Sequence, residues 1–174
     1  MEEYTFETER LYMRPTSIED ASFVLELLNT PKWLQYIGNR KVYTEEDAVH
    51  YITSKMLPQF EEKRFGNYTV IRKEDHHKIG CCGLYDREGL EGIDVGFAFL
   101  PSYEGKGYGY ESTAKLMEYG KEVHGITNVN GITVKENIGS QKLLEKLGLH
   151  YIKTITLPKD PEPLLFYSNS KDHA

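Results

Sequence analysis

Apolar runs, some continuous and some alternating with polar residues, predict strands over 8–14, 67–73, 78–86, 92–100, 129–135, 150–157 and 163–168. Helical spacing predicts helices over 17–28, 44–61, 109–123 and 138–147. Ser17-x-x-Asp20 and Thr44-x-x-Asp47 are helix starts close to capping boxes. Pro58 is expected to bend or shorten the second helix. In the last helix Leu143, Leu144 and Leu147 form an apolar stripe, with Asn137 as N-cap and Gly148 as the stop. Hairpin-connected strands followed by a βαβα crossover predict an α+β (α/β mixed) fold, a twisted mixed β-sheet with helices on both faces. No linker, repeat or low-complexity stretch interrupts the pattern, so residues 1–174 are expected to form one domain.

The most informative stretch is 93–112. An apolar run, Ile93 to Leu100, stops at Pro101; a compact loop with Gly105, Gly107 and Gly109 follows, and then a helical pattern begins. A strand, a glycine loop and a helix N-terminus together make an anion site. Main-chain N–H groups point outward, the helix dipole favours negative charge, and glycine lets a phosphate approach closely. The stretch therefore predicts a phosphate-bearing ligand at the carboxyl end of strand 92–100, where it parts from strand 129–135. The spacing fits neither G-x-x-x-x-G-K-[ST] nor G-x-G-x-x-G, since Tyr110 holds the third glycine position of the latter.

Composition narrows the class. The 174 residues, 39% hydrophobic and 28% charged, suit one soluble globular domain with a real core. No apolar run nears the ~20 residues of a membrane span. Glu2 and Glu3 stand where a signal peptide would be basic. Cys81 and Cys82 are adjacent, which excludes a disulfide framework or a metal site of usual spacing and predicts buried thiols. No metal is expected: the six histidines (His50, His76, His77, His124, His150, His173) show no ligand spacing, and His76 and His77 fall in an expected hairpin turn. The picture is cytoplasmic, as a monomer or homodimer. A net charge of −6 argues against nucleic-acid binding and suits a cationic substrate, or solubility alone.

Glu104-x-x-Gly107-x-Gly109 resembles the Q/R-x-x-G-x-G/A loop of the GNAT N-acetyltransferase superfamily, which grips the pyrophosphate of acetyl-CoA. Glu104 departs from the usual Gln or Arg, but main-chain amides are the chief anion ligands. Asn137-x-x-Ser140-x-x-x-Leu144-Glu145-Lys146-x-Gly148-Leu149 is similar to a second block of the same superfamily, in the expected order. Thr8-Glu9-Arg10-Leu11-Tyr12-Met13-Arg14-Pro15, followed by Asp20-Ala21, resembles the opening of its RimJ/RimL-like branch. The resemblance covers nearly the whole chain. It implies a GNAT-like sheet and acetyl-CoA as co-substrate, held by Glu104, Gly105, Lys106, Gly107, Tyr108, Gly109 and Asn137. The amides of Phe99 and Leu100 are implied to bond the pantetheine arm and polarise the carbonyl.

The implied reaction is acetyl transfer to a primary amine, either a protein N-terminal α-amine or a small-molecule amine. Asp94 occupies the position where the family often has a general base, and would need a relaying water. Glu111 is a competing carboxylate that also suits the helix dipole. Leu144 stands where many members carry a tyrosine acid. Ser140 matches the serine that the RimJ/RimL-like branch retains, and its hydroxyl can hydrogen-bond a leaving thiolate. Tyr167 is an alternative donor with a strong case for a core role. Trp33, Tyr43 and Tyr51 are candidates for an acceptor wall, Trp33 more readily for the core. A CoA-binding module without turnover and a binder of another nucleotide are the competing readings.

Overall fold

Leu11, Met13 and Pro15 are buried while Tyr12 and Arg14 are half-exposed, the period-two pattern of a strand with one face on a core. The computed structural model describes residues 4–173, so Glu2 and Glu3 lie outside the described residues. In chain order the elements are β1 (Phe6–Glu7), β2 (Leu11–Pro15), α1 (Ala21–Leu28), α2 (Glu45–Tyr51), α3 (Leu57–Lys63), β3 (Asn67–Arg72), β4 (Lys78–Tyr85), β5 (Ile93–Phe99), α4 (Tyr108–His124), β6 (Val129–Thr133), α5 (Ile138–Lys146), β7 (His150–Leu157) and β8 (Asp160–Ser168).

The strands form one sheet in the order β1-β2-β3-β4-β5-β6-β8-β7. All neighbours are antiparallel except β5 and β6, which run parallel and pair only at Ile93↔Val129 and Asp94↔Asn130. Beyond those two pairs the strands part, and the sheet opens into two halves. The expected twisted mixed sheet with flanking helices is therefore the observed one.

Successive residues of a strand face opposite sides, so Cys81 and Cys82 enter different cores. Cys82 joins Leu84, Val95, Tyr108, Leu116 and Leu144 beneath α4 and α5. Cys81 joins Leu27, Trp33, Ala48 and Leu100 beneath α1 and α2. Both are free thiols, and burial pushes Cys81 up to about 12. Sequence expectation and structure differ most at three places. The first strand divides into β1 and β2. The helix expected over 44–61 is continuous but takes a π turn at Ile52–Met56, where the Leu57 N–H reaches the Ile52 carbonyl. Pro58 explains it: a proline ring clashes with the carbonyl four residues back, and the wider turn relieves the clash. Trp33–Ile37 forms a second π turn with no forewarning in the apolar pattern.

Asp20 is wholly buried, with Arg14 Nη2 at 2.7 Å and Lys78 Nζ at 2.8 Å. Burial pushes its pKa up, and the hydrogen bonds from Arg14 and Lys78 outweigh burial and hold it at about 2. An unfolded aspartate titrates at about 3.9. The folded value lies below the unfolded one, so this contribution is fully present above pH ~4 and lost as pH falls through about 2. Acid titration of the melting temperature should show a loss of roughly 2–3 kcal/mol in that window, absent in Asp20→Asn. A parent and variant that fall in parallel would remove Asp20 as the cause.

Candidate active site

The opening between β5 and β6 leaves main-chain groups unpaired. Leu100 N–H bonds the Ile79 carbonyl at 2.9 Å, and the register Cys81↔Ala98 continues that phase. An antiparallel ladder alternates, so Ala98 and Leu100 face β4 while Phe97 and Phe99 turn their N–H and C=O groups to the other edge. There β6 has already left. This corrects the expectation for Leu100, whose amide is committed to the ladder. Phe99 faces the gap, and Phe97, which sequence reasoning passed over, does so too. Only the phase of the ladder reveals the difference.

At the end of β5 the chain makes a 3-10 turn at Pro101–Tyr103 and enters the glycine loop. Gly105 and Gly107 take φ of +73° and +83°, a left-handed region open to glycine at little cost. Gly107 is the N-cap of α4 and supplies no side-chain cap, so the first-turn N–H groups of α4 keep their outward donors. Arg10 braces the loop from the other end of the chain. Its Nη1 bonds the Lys106 carbonyl at 3.0 Å, its Nε bonds Glu111 Oε1 at 2.7 Å, and its guanidinium lies 4.3 Å from the Tyr108 ring centroid. With the Lys106 carbonyl turned toward Arg10, the Gly107 N–H of the same trans peptide points the opposite way.

Glu104 would place a negative charge on this anion site. Lys32, just before the Trp33–Ile37 π turn, neutralises it with Nζ 2.5 Å from the carboxylate. Tyr108 is buried in the α4-side core, so only its main chain serves the loop, whereas Lys106 is exposed. A Cβ on Gly109 would lie 3.2 Å from Leu143 Cδ2, which places the first turn of α4 against α5. Glu111 is a clamp rather than a free base. It accepts from Thr8 Oγ1 at 2.5 Å and from Arg10, and although burial pushes its pKa up, these bonds bring it below the usual value.

Asn137 caps α5, its Oδ1 accepting from the Ser140 N–H at 3.2 Å, as its position implied. Ser140 is half-buried in the first turn. Leu144 is in the core, against Gly131 of β6, where a Cβ would lie 2.6 Å from Leu144 Cδ2. Tyr167 is buried beside it, its hydroxyl 3.5 Å from Gln141 Oε1, and burial raises its pKa.

Asp94 is the largest departure from the sequence reading. It is 1% exposed, and Arg87 holds both oxygens, Nε at 3.2 Å from Oδ1 and Nη2 at 3.1 Å from Oδ2. Burial pushes its pKa up, and Arg87 pulls against that. A carboxylate closed off in this way does not meet an acceptor directly. Trp33 joins the α1-side core, Tyr51 is half-buried against that core, and Tyr43 is 64% exposed. Among the described residues no helix is long and apolar enough to cross a membrane, and no group of three or more His, Cys, Asp or Glu could hold a metal ion.

A parted parallel pair, a left-handed glycine loop and an uncapped helix start suit a long phosphorylated thioester, and known proteins point the same way. The acetyltransferase (GNAT) domain family matches residues 10–150. The chain is 28% identical over 142 residues to an uncharacterized N-acetyltransferase of Bacillus subtilis, YnaD, covering 82% of this chain and 80% of that one. A ribosomal-protein-S5-alanine acetyltransferase from Vibrio fischeri shares the fold with a TM-score of 0.77 at 17% identity, over 97% of both chains. AAC(6')-Ib, solved with paromomycin and acetyl-CoA, shares it with a TM-score of 0.72 at 17% identity, over 95% of this chain and 96% of that one. The chain thus belongs to the GNAT acetyltransferase family and is an acetyl-CoA-dependent N-acetyltransferase.

Proposed function

We propose that residues 1–174 act as one catalytic domain that acetylates a polypeptide N-terminal α-amine, in the manner of the RimJ/RimL-like branch. The parted β5–β6 pair carries the reading of the site, because it leaves Phe97 and Phe99 to hold a thioester arm by main-chain hydrogen bonds. The pyrophosphate rests on the N–H groups from Gly105 to Gly109, with Glu104 silenced by Lys32 and with Lys106 at the rim. Asn137 and Ser140 stand at the start of α5, toward the sulfur. The opening Thr8–Pro15 motif and the likeness to the S5-alanine acetyltransferase support the α-amine. Buried free thiols suit the reducing cytoplasm.

The neutral amine attacks the thioester carbonyl, a C–N bond forms, the C–S bond breaks, and the thiolate takes up a proton. A hydrogen bond to the developing oxyanion contributes ~3–4 kcal/mol, the part assigned to the gap-facing amides. A small-molecule amine is the second reading, favoured by one contact. Gly89, in the β4–β5 loop, packs so closely on Pro158, in the β7–β8 turn, that a Cβ would lie 2.2 Å from Pro158 Cδ. That contact bridges the two halves of the sheet and narrows access for a polypeptide. The test is CoA release from acetyl-CoA against peptides with free N-termini and against diamines, amino acids and aminoglycosides. Turnover of small amines with none of the peptides would replace the first reading by the second.

Ser140→Ala should lower kcat by ~10-fold with acetyl-CoA affinity nearly unchanged, because a bond to the thiolate strengthens only in the transition state. A matched loss of affinity with normal kcat would make Ser140 a binding residue.

A further inference from the structure

Tyr110 begins at the anion site. Gly107 is the N-cap of α4, and the Glu111 N–H is the first to reach back a turn, to the Gly107 carbonyl at 3.0 Å. The main-chain N–H of Tyr110 therefore belongs to the first-turn set left for an anion. Helix side chains lean toward the N-terminus of their helix, so the Tyr110 ring leans over the glycine loop. The ring borders an open cleft together with Gly107. It is 37% exposed and belongs to neither core.

A second helix brings a cation to that ring. Gly109 seats the first turn of α4 on Leu143 of α5, and three residues on, Lys146 holds its ammonium 4.2 Å from the Tyr110 ring centroid. The other cations around the loop are engaged. Arg10 is bound to Glu111 and to the Lys106 carbonyl, Lys32 to Glu104, and Lys115 to Glu118 at 3.5 Å. Lys106 lies 5.9 Å from the Tyr103 ring centroid. Among the described ion pairs none holds Lys146. Its charge rests on an aromatic face and is not cancelled by a carboxylate.

We infer that Tyr110 and Lys146 bind the 3′-phosphoadenosine end of acetyl-CoA, the base on the ring and the 3′-phosphate on the ammonium. This rests on the pyrophosphate lying along the Gly105–Gly109 amides, because the ribose that carries both groups is joined directly to it. Lys146 exchanges the ring for the phosphate on its flexible stem, and the freed face stacks on the adenine. The glycine loop grips what every pyrophosphate ligand shares. The Tyr110–Lys146 pair reads what separates a CoA thioester from the same pantetheine arm without its nucleotide, as on a carrier protein. A lysine in the last turn of α5 also complements the helix dipole, but that role would show in stability alone.

Calorimetry with acetyl-CoA and with acetyl-dephospho-CoA, the same thioester lacking the 3′-phosphate, tests the assignment. The parent should bind acetyl-CoA roughly 2–5-fold more tightly, the worth of one exposed charge pair, and less so as salt rises. Lys146→Gln should bind the two alike, at the parent's affinity for acetyl-dephospho-CoA. Tyr110→Ala should weaken both by at least ~5-fold, the worth of a lost base–aromatic stack, and leave their ratio intact. A parent without preference, a Lys146→Gln that keeps it, or a Tyr110→Ala that binds both as the parent does, overturns the inference. Lys115→Gln, on the same cleft, is the control. A preference lost there and kept in Lys146→Gln would move the phosphate to the cleft and overturn the inference as well. The loop is tested apart. If Gly107→Glu binds both thioesters as tightly as the parent, the loop reading itself fails. If it binds neither while Lys146→Gln keeps the preference, the loop stands and only the nucleotide subsite falls.

Discussion

Gly107→Glu is expected to abolish the response to acetyl-CoA. A native-state ligand at a hundred times its Kd stabilises by about 2.7 kcal/mol. For a chain of this size that raises the melting temperature by roughly 5–11 °C. Three effects remove the gain. Gly107 has φ +83°, a conformation that costs an L-residue about 1–2 kcal/mol. Its Cβ would stand 3.3 Å from Arg10 Nη2 and disturb the brace that turns the loop amides outward. Its carboxylate would occupy the anion position. Gly105→Ala is the matched control, with φ +73° but open space around the new Cβ, so it bears similar strain and should keep most of the shift. Thermal scans of the three proteins with acetyl-CoA decide it. A parent-sized shift in Gly107→Glu would remove the loop from the co-substrate site.

Asp94→Asn should cost about 1.5–3 kcal/mol of stability, the usual worth of hydrogen bonds to a charged group, because Asp94 is buried but Arg87 stays 37% exposed and keeps part of its hydration. The melting temperature should fall by roughly 3–12 °C. The reason is Arg87, which would keep its charge against the half-buried Tyr85 with nothing opposite. Arg87→Gln together with Asp94→Asn should recover part of the loss, since the pair is then replaced rather than broken. The pH profile of the amine kcat/KM should keep its shape, governed by the amine's own deprotonation. The opposite pattern, normal stability with a 10²–10⁴-fold rate loss that rises with pH, would restore Asp94 as general base.

The ligand loop was legible because its geometry is written in residue type. Left-handed turns and close approach call for glycine, and Gly105, Gly107 and Gly109 stand out between a strand and a helix. Asn137 and Gly148 mark the ends of α5 by the same local chemistry. What was hidden depends on partners far apart in sequence or on phase. Arg10 reaches Lys106 and Glu111 from the other end of the domain, which turned Glu111 from a candidate base into a clamp. Leu100 and Phe99 are both apolar strand residues, and only the ladder separates their amides. Asp94 is paired by Arg87 across a loop, a signal present in the seven-residue spacing but unreadable without the hairpin.

The two-pair seam between β5 and β6 has a consequence for folding cooperativity. Each half of the sheet is built from antiparallel neighbours, yet the backbone join between the halves is two residue pairs, with support from the core beneath α4 and α5, from the α4–α5 contact and from Pro158 on Gly89. A thioester arm that lies in the opening and bonds both walls acts there as a missing strand. On the proposed placement, acetyl-CoA completes the sheet, and its binding should couple the unfolding of the two halves more tightly.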